Sequence, residues 1–234
     1  MHNKPRLHKG LAGEPLMRDD LPSAPASVRA LPRDKRGYPV PWFVFIDDAG
    51  VPDFRIIAPG KVVTAVKEKR CWICGQPLGR MLAFVIGPMC AVNRISAEPP
   101  SHPLCADFAA RACPFLTHPL AKRNERDLPQ SDGVKIVSKP PGEMIERNPG
   151  VTLVWWTLRY RLFFQPSGPL FRIGTPERTQ WFARGREATR DEVMDSISTG
   201  LPVLKEMAEA EGQAALSELA EACRRALLLV PAAA

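Results

Sequence analysis

Cys71-Trp72-Ile73-Cys74-Gly75, followed further along by His102-Pro103-Leu104-Cys105, is the pattern on which the reading of this chain turns. Five of the six cysteines and one of the four histidines lie between residues 71 and 113. Two cysteines with two residues between them can turn both thiolates of one tight loop onto a single ion, and Gly75 supplies the backbone freedom such a loop needs. The N-terminal half is therefore expected to fold around a metal, with structural Zn2+ as the expected cofactor.

Working outward, the second ligand pair is expected to be His102 and Cys105 at the start of a helix. Pro103 suits a first helical position. Leu104, Phe108 and Ala112 recur at helical spacing, which predicts a helix over about 103–112, and Cys113-Pro114 ends it because a residue before proline disfavours helical geometry. The positive end of such a helix also favours thiolate. A C-x2-C turn, a strand (Met81–Ile86, stopped by Gly87-Pro88), then ligands in the first turn of a helix resembles the treble-clef class of zinc finger. The resemblance covers residues 71–112 and implies a structural zinc site. Cys90 is a substitute ligand, since its distance from Cys74 falls in the zinc-ribbon range, although a ribbon wants a further cysteine where Asn93 stands. Cys113 lies more than two helical turns beyond Cys105 and reads as a buried thiol.

The rest of the chain sets bounds on function. Apolar residues make up 45% and charged residues 24%, which excludes disorder throughout. With 25 prolines, much of the chain must be turns and extended connections. No apolar run is long enough for a membrane helix and the N-terminus carries no apolar signal core, so a cytoplasmic protein without membrane contact is expected. In that reducing setting clustered cysteines read as metal ligands and not as disulfides. The net charge is +7, unevenly placed: residues 151–187 carry six arginines against two glutamates, whereas 188–234 are acidic. A basic surface attracts nucleic acid, so DNA or RNA is a candidate partner, with a protein as the other.

The expected class is α+β, in four stretches. Residues 1–36, rich in proline and scattered charge, read as a flexible arm. Residues 37–117 read as a zinc-binding domain that opens on a hairpin (Trp42–Ile46, a turn at Asp47–Gly50, Asp53–Ile57) and a short helix over Lys61–Arg70. Residues 118–150 read as a linker with a short strand at Val134–Val137. Residues 151–234 read as a second domain: one long strand over Val151–Phe164 with its apolar face at even positions, a return at Leu170–Ile173, then helices. Thr189-Arg190-Asp191-Glu192 fits a capping box, Gly200-Leu201-Pro202 is expected to restart a helix that Gly212 ends, and the last helix carries an apolar stripe that includes Cys223.

No catalytic set is evident. The H-E-x-x-H pattern, the deaminase zinc pattern and a glycine-rich phosphate loop are all missing from the sequence. A treble clef used as an HNH-like nuclease would need a catalytic histidine between the knuckle and the helix, and residues 75–101 contain none. Gly87–Arg94, Glu98–His102, Cys113–Leu116, Gly185–Arg190 and Ser196–Pro202 resemble uncharacterised proteins of bacteria and their phages, which implies that cellular setting and no activity. The functional expectation is a non-enzymatic zinc-stapled adaptor that contacts nucleic acid, or a nucleic-acid-associated protein, through Lys67, Lys69, Arg70, Arg80 and Arg94, with Trp72 offering a stacking face. The alternatives are a protein-interaction factor and a metal-dependent HNH-like nuclease.

Overall fold

The computed structural model describes residues 20–118 and 148–232, together with the backbone of four two-residue strands. Two of these, β1 (Leu7–His8) and β2 (Met17–Arg18), pair with each other. A one-turn helix α1 (Ala26–Arg29) follows, then the hairpin β3 (Val44–Ile46) and β4 (Pro52–Ile57) and the helix α2 (Lys61–Lys67). Next come β5 (Leu82–Ile86), α3 (Pro88–Asn93), β6 (Ile95–Ser96), α4 (Pro103–Ala112) and α5 (Pro114–Thr117). Strands β7 (Gln130–Ser131) and β8 (Val134–Lys135) form a small pair. Then follow β9 (Thr152–Thr157), β10 (Tyr160–Gln165), β11 (Gly168–Ile173), β12 (Arg178–Ala183) and β13 (Arg186–Glu187). Two helices, α6 (Arg190–Glu211) and α7 (Gln213–Leu227), end the chain. The class is α+β, as expected.

Strand β9 organises the core. It is central in an antiparallel sheet of order β13-β12-β9-β5, and all six of its residues are buried. Alternate side chains of a strand point to opposite faces. Leu153 and Trp155 join Phe84, Ile86, Phe171, Ile173, Trp181, Val193 and Ile197 on one side. Val154 and Trp156 meet Ala106 and Ala110 of α4 on the other, where small alanines let the helix approach the sheet. A second antiparallel sheet, β10-β11-β6, turns Tyr160, Leu162, Phe171 and Ile173 to the first core. Helix α3 packs on α6 and α7 through Val92, Leu204, Ala222 and Ala226.

Several expectations are corrected here. Residues 37–117 and 151–234 do not stand as separate units: β5 pairs along its whole length with β9, and β6 pairs with β11. Neither β5 nor β9 can bury two apolar faces alone, and each completes the other. Most of the expected linker lies outside the described residues, as does the first half of the arm. Residues 20–36 of that arm are folded, with Val28 fully buried. The long strand over 151–164 is two strands in different sheets. The break falls at Leu158-Arg159, where the Thr157 hydroxyl reaches the carbonyls of Arg159 and Thr175 and Gly174 N–H donates to Arg159 O (3.1 Å). Strand β12 stands where helices were expected, and α6 runs unbroken through Gly200 and Pro202.

Candidate metal centre

Residues 70–78 form the first half of the centre as a miniature hairpin. Cys71 N–H donates to Gln76 O (2.8 Å), Gly75 N–H to Cys71 O (2.9 Å) and Leu78 N–H to Lys69 O (2.7 Å). Gly75 adopts φ +72°, a left-handed conformation that a side chain disfavours. The Arg70 guanidinium donates back to Gly75 O (3.0 Å), which ties the loop to its own stem.

The second half is the start of α4. Its lead-in is pinned to β5 by reciprocal bonds between Ala83 and Ser101, both 2.8 Å, and to the loop by Trp72 N–H on Pro100 O (3.1 Å). His102 takes the N-cap position, Pro103 the first helical one, and Cys105 falls in the first turn. One end of the helix thus presents an imidazole and a thiol to the same point.

The four side chains meet. The ligand atoms of Cys71, Cys74, His102 and Cys105 all lie within 4.8 Å of one another. His102 Nδ1 is 3.4 Å from Cys74 Sγ and 3.8 Å from Cys105 Sγ. A tetrahedral ion bound at about 2.3 Å by sulfur and about 2.0 Å by nitrogen would set ligand–ligand edges of about 3.5–3.8 Å. The residues present therefore fit a tetrahedral metal ion. The surroundings fit as well. Backbone N–H groups of Cys74 (3.5 Å) and His102 (3.3 Å) point at Cys71 Sγ, which stabilises a thiolate. His102 Nε2 lies 2.9 Å from Pro77 O, so the proton sits on Nε2 and Nδ1 keeps its lone pair for the metal.

Protein groups alone cannot ionise three thiols in so small a space. Hydrogen bonding from Cys105, then from Cys71, draws the Cys74 thiol far down; contacts with Cys71, then Cys74, push Cys105 far up; and Cys71, although its contact with Cys105 lowers it, is raised by its contact with Cys74 and by burial. Only a cation lets all three become thiolates together. Cys71, Cys74 and Cys105 are at most 5% exposed, so the site is closed on the thiol side.

Cys90 is corrected as a substitute ligand. Gly87-Pro88 starts α3, and the helix carries Cys90 against the main core, apart from the four clustered side chains. Burial, then the nearby Glu98 carboxylate, pushes its thiol up to about 11. Cys113 caps the end of α4, and burial raises its thiol too.

The expected nucleic-acid residues divide. Lys67, Lys69 and Arg80 are exposed. Arg70 is taken up by Glu68 (2.6 Å) and Gly75 O. Arg94 lies over the Trp155 ring, 5.3 Å from its centroid. Trp72 is corrected as a stacking face: it is 2% exposed and already stacked on Phe43 at 4.6 Å and 4°.

Three contributors went unseen in the sequence. Ser27 Oγ lies 3.5 Å from Cys105 Sγ. Ala24, Val28 and Leu31 share a buried cluster with Cys71, Cys74, Cys105 and Phe108. Trp42 covers Gly75. The helical spacing of Ala24, Val28 and Leu31 was the available signal, hidden by the prolines around it.

Comparison of the chain with protein-family models, with curated proteins and with solved structures returned no match. Among the described residues no helix is long and apolar enough to cross a membrane.

Proposed function

We propose that the Cys71, Cys74, His102 and Cys105 cluster binds one structural Zn2+ and that the protein is a non-enzymatic adaptor that contacts nucleic acid or a nucleic-acid-associated protein. The observation that carries the metal half is a complete set of four protein ligands, three of them buried. Structural zinc sites are closed in this way, whereas catalytic ones keep a position for water or substrate. Three thiolates and one imidazole in tetrahedral reach favour Zn2+ over harder cations. The order of turn, strand and helix supports the treble-clef reading of this segment.

Exposed Lys67, Lys69 and Arg80 around the knuckle and the net charge of +7 support a polyanionic partner. The nuclease alternative loses support because His102 is committed at both ring nitrogens. The protein-interaction alternative draws on a mainly apolar groove of about 520 Å³ between α6 and α7, lined by Leu201, Pro202, Leu216, Leu219 and Cys223. Elemental analysis of purified protein tests the metal half: about one zinc per chain is expected, with a large fall in melting temperature in chelator. Titration with DNA and RNA at two salt concentrations tests the other half. Absence of salt-sensitive binding at low salt would remove it.

A further inference from the structure

The hairpin of β10 and β11 carries a feature that neither the metal centre nor the core uses. Arg161 and Arg172 stand directly opposite each other across the antiparallel strands, and both are exposed. Side chains so placed have Cβ atoms about 4.5–5.5 Å apart, and like charges there repel. No carboxylate among the described residues forms an ion pair with either. Two residues beyond Arg161 on the same face stands Phe163, and the Arg172 guanidinium lies 5.6 Å from its ring centroid. Phe164, on the opposite face near the hairpin tip, is 73% exposed. Meanwhile Tyr160, Leu162, Phe171 and Ile173 of the same strands are packed on the core, so the hairpin is firmly held.

An uncompensated arginine pair beside a half-buried aromatic ring is the composition of a surface for a strand whose phosphates and base faces are both free. Arginines answer the phosphates, and rings stack on bases that a duplex would hide. The cations around the knuckle lack the second part, because Trp72 is buried. We infer that the β10–β11 hairpin is a binding surface for single-stranded nucleic acid, with Arg161 and Arg172 on phosphates and Phe163 on a base. This rests on the nucleic-acid reading above and moves its principal contact away from the metal loop.

The test is fluorescence anisotropy with labelled oligothymidylate of about 20 nucleotides and a duplex of equal length, using the metal-loaded full chain at about 50 and 200 mM salt. The single strand should bind more tightly than the duplex. Arg161→Gln with Arg172→Gln should weaken it about 10-fold at low salt and flatten the logarithmic salt slope by about 1.4, two phosphate contacts' worth. Phe163→Leu should weaken it about 5-fold or more. Lys67→Gln, Lys69→Gln and Arg80→Gln together should weaken it less than the Arg161/Arg172 pair does. In the unmodified protein, hydrogen exchange should slow across 160–173 when the oligonucleotide is added, a readout independent of whether the variants fold. Tight binding that the knuckle substitutions abolish, without protection of 160–173, would overturn this inference and leave the adaptor reading standing. Duplex bound as well as single strand would also overturn it. No binding at low salt would remove both.

Discussion

The indole of Trp42 lies so close to Gly75 that a Cβ there would stand 2.5 Å from its Cδ1 and Cγ. Trp42 N–H also donates to Ile73 O (2.8 Å), and Lys61 Nζ sits 4.0 Å from the ring centroid. The metal loop is thus clamped by a residue far from any ligand in sequence. Gly75→Ala should combine two separable losses: the left-handed backbone, about 1–2 kcal/mol, and the clash with the indole. Denaturant unfolding of the metal-loaded protein should show a total loss of about 2–4 kcal/mol. A Gly75→Ala/Trp42→Leu pair should recover the steric part only. A fully additive pair would show that the contact does not shape the loop.

Because three thiolates and Nδ1 of His102 complete the tetrahedron, one lost ligand should matter far more than any other lost cysteine. Cys105→Ser should lower zinc content well below one per chain after gel filtration. Cys90→Ser and Cys113→Ser should leave it unchanged, since both thiols lie apart from the four clustered ligand atoms. Equal zinc loss in all three would contradict the ligand assignment.

Metal removal should act first on residues 20–40. Ser27 touches Cys105, and Val28 is packed among the ligands, whereas β9 draws its burial from a different cluster. Chelation should therefore open Pro25–Val40 to protease and to hydrogen exchange while amides of β9 stay protected. Val28→Ala in the loaded protein should cost about 1–3 kcal/mol through its cavity. Simultaneous loss of protection in β9 would show that the ion supports the whole fold.

The ligand set was legible because each half of it is local. A C-x2-C turn and an H-x2-C helix start both write their geometry within a few residues, and α4 follows from Pro103, the spacing of Leu104, Phe108 and Ala112, and Cys113-Pro114. What joins the halves was not legible. The pairing of β5 with β9 links residues about seventy apart, and nothing in either strand names its partner. Burial of β9 on both faces also defeated the period-two reading: Trp155 is as deeply buried as Val154, so the apparent single apolar face was half of the pattern. Strand β12 left a signal in Trp181-Phe182-Ala183 before Arg184-Gly185, where both residues take positive φ and make a tight hairpin turn. The run of proline and charge before residue 37 concealed a helix whose stability comes from the thiol cluster beneath it and not from its own sequence.

The N-terminus of α6 offers a prediction with a defined sign. Thr189 and Glu192 form a reciprocal capping box, with Glu192 N–H to Thr189 Oγ1 at 3.3 Å and Thr189 N–H to the Glu192 carboxylate at 2.9 Å. Arg186 adds a two-pronged contact at 2.6 and 2.9 Å, and that guanidinium is the main reason the Glu192 carboxyl falls to about 2 from an ordinary 4.5. A carboxyl depressed on folding stabilises fully above its unfolded value and loses that contribution as pH falls toward its folded value. Glu192→Gln should therefore cost about 1 kcal/mol at neutral pH, a modest figure because the pair is solvent-exposed. The gap between the two proteins should close as pH falls from about 4.5 to about 2, whatever acid does to the metal site, since that loss is common to both. Paired unfolding curves at matched pH supply the check, and a gap that is constant across this window would show that Glu192 acts through packing and not through its charge.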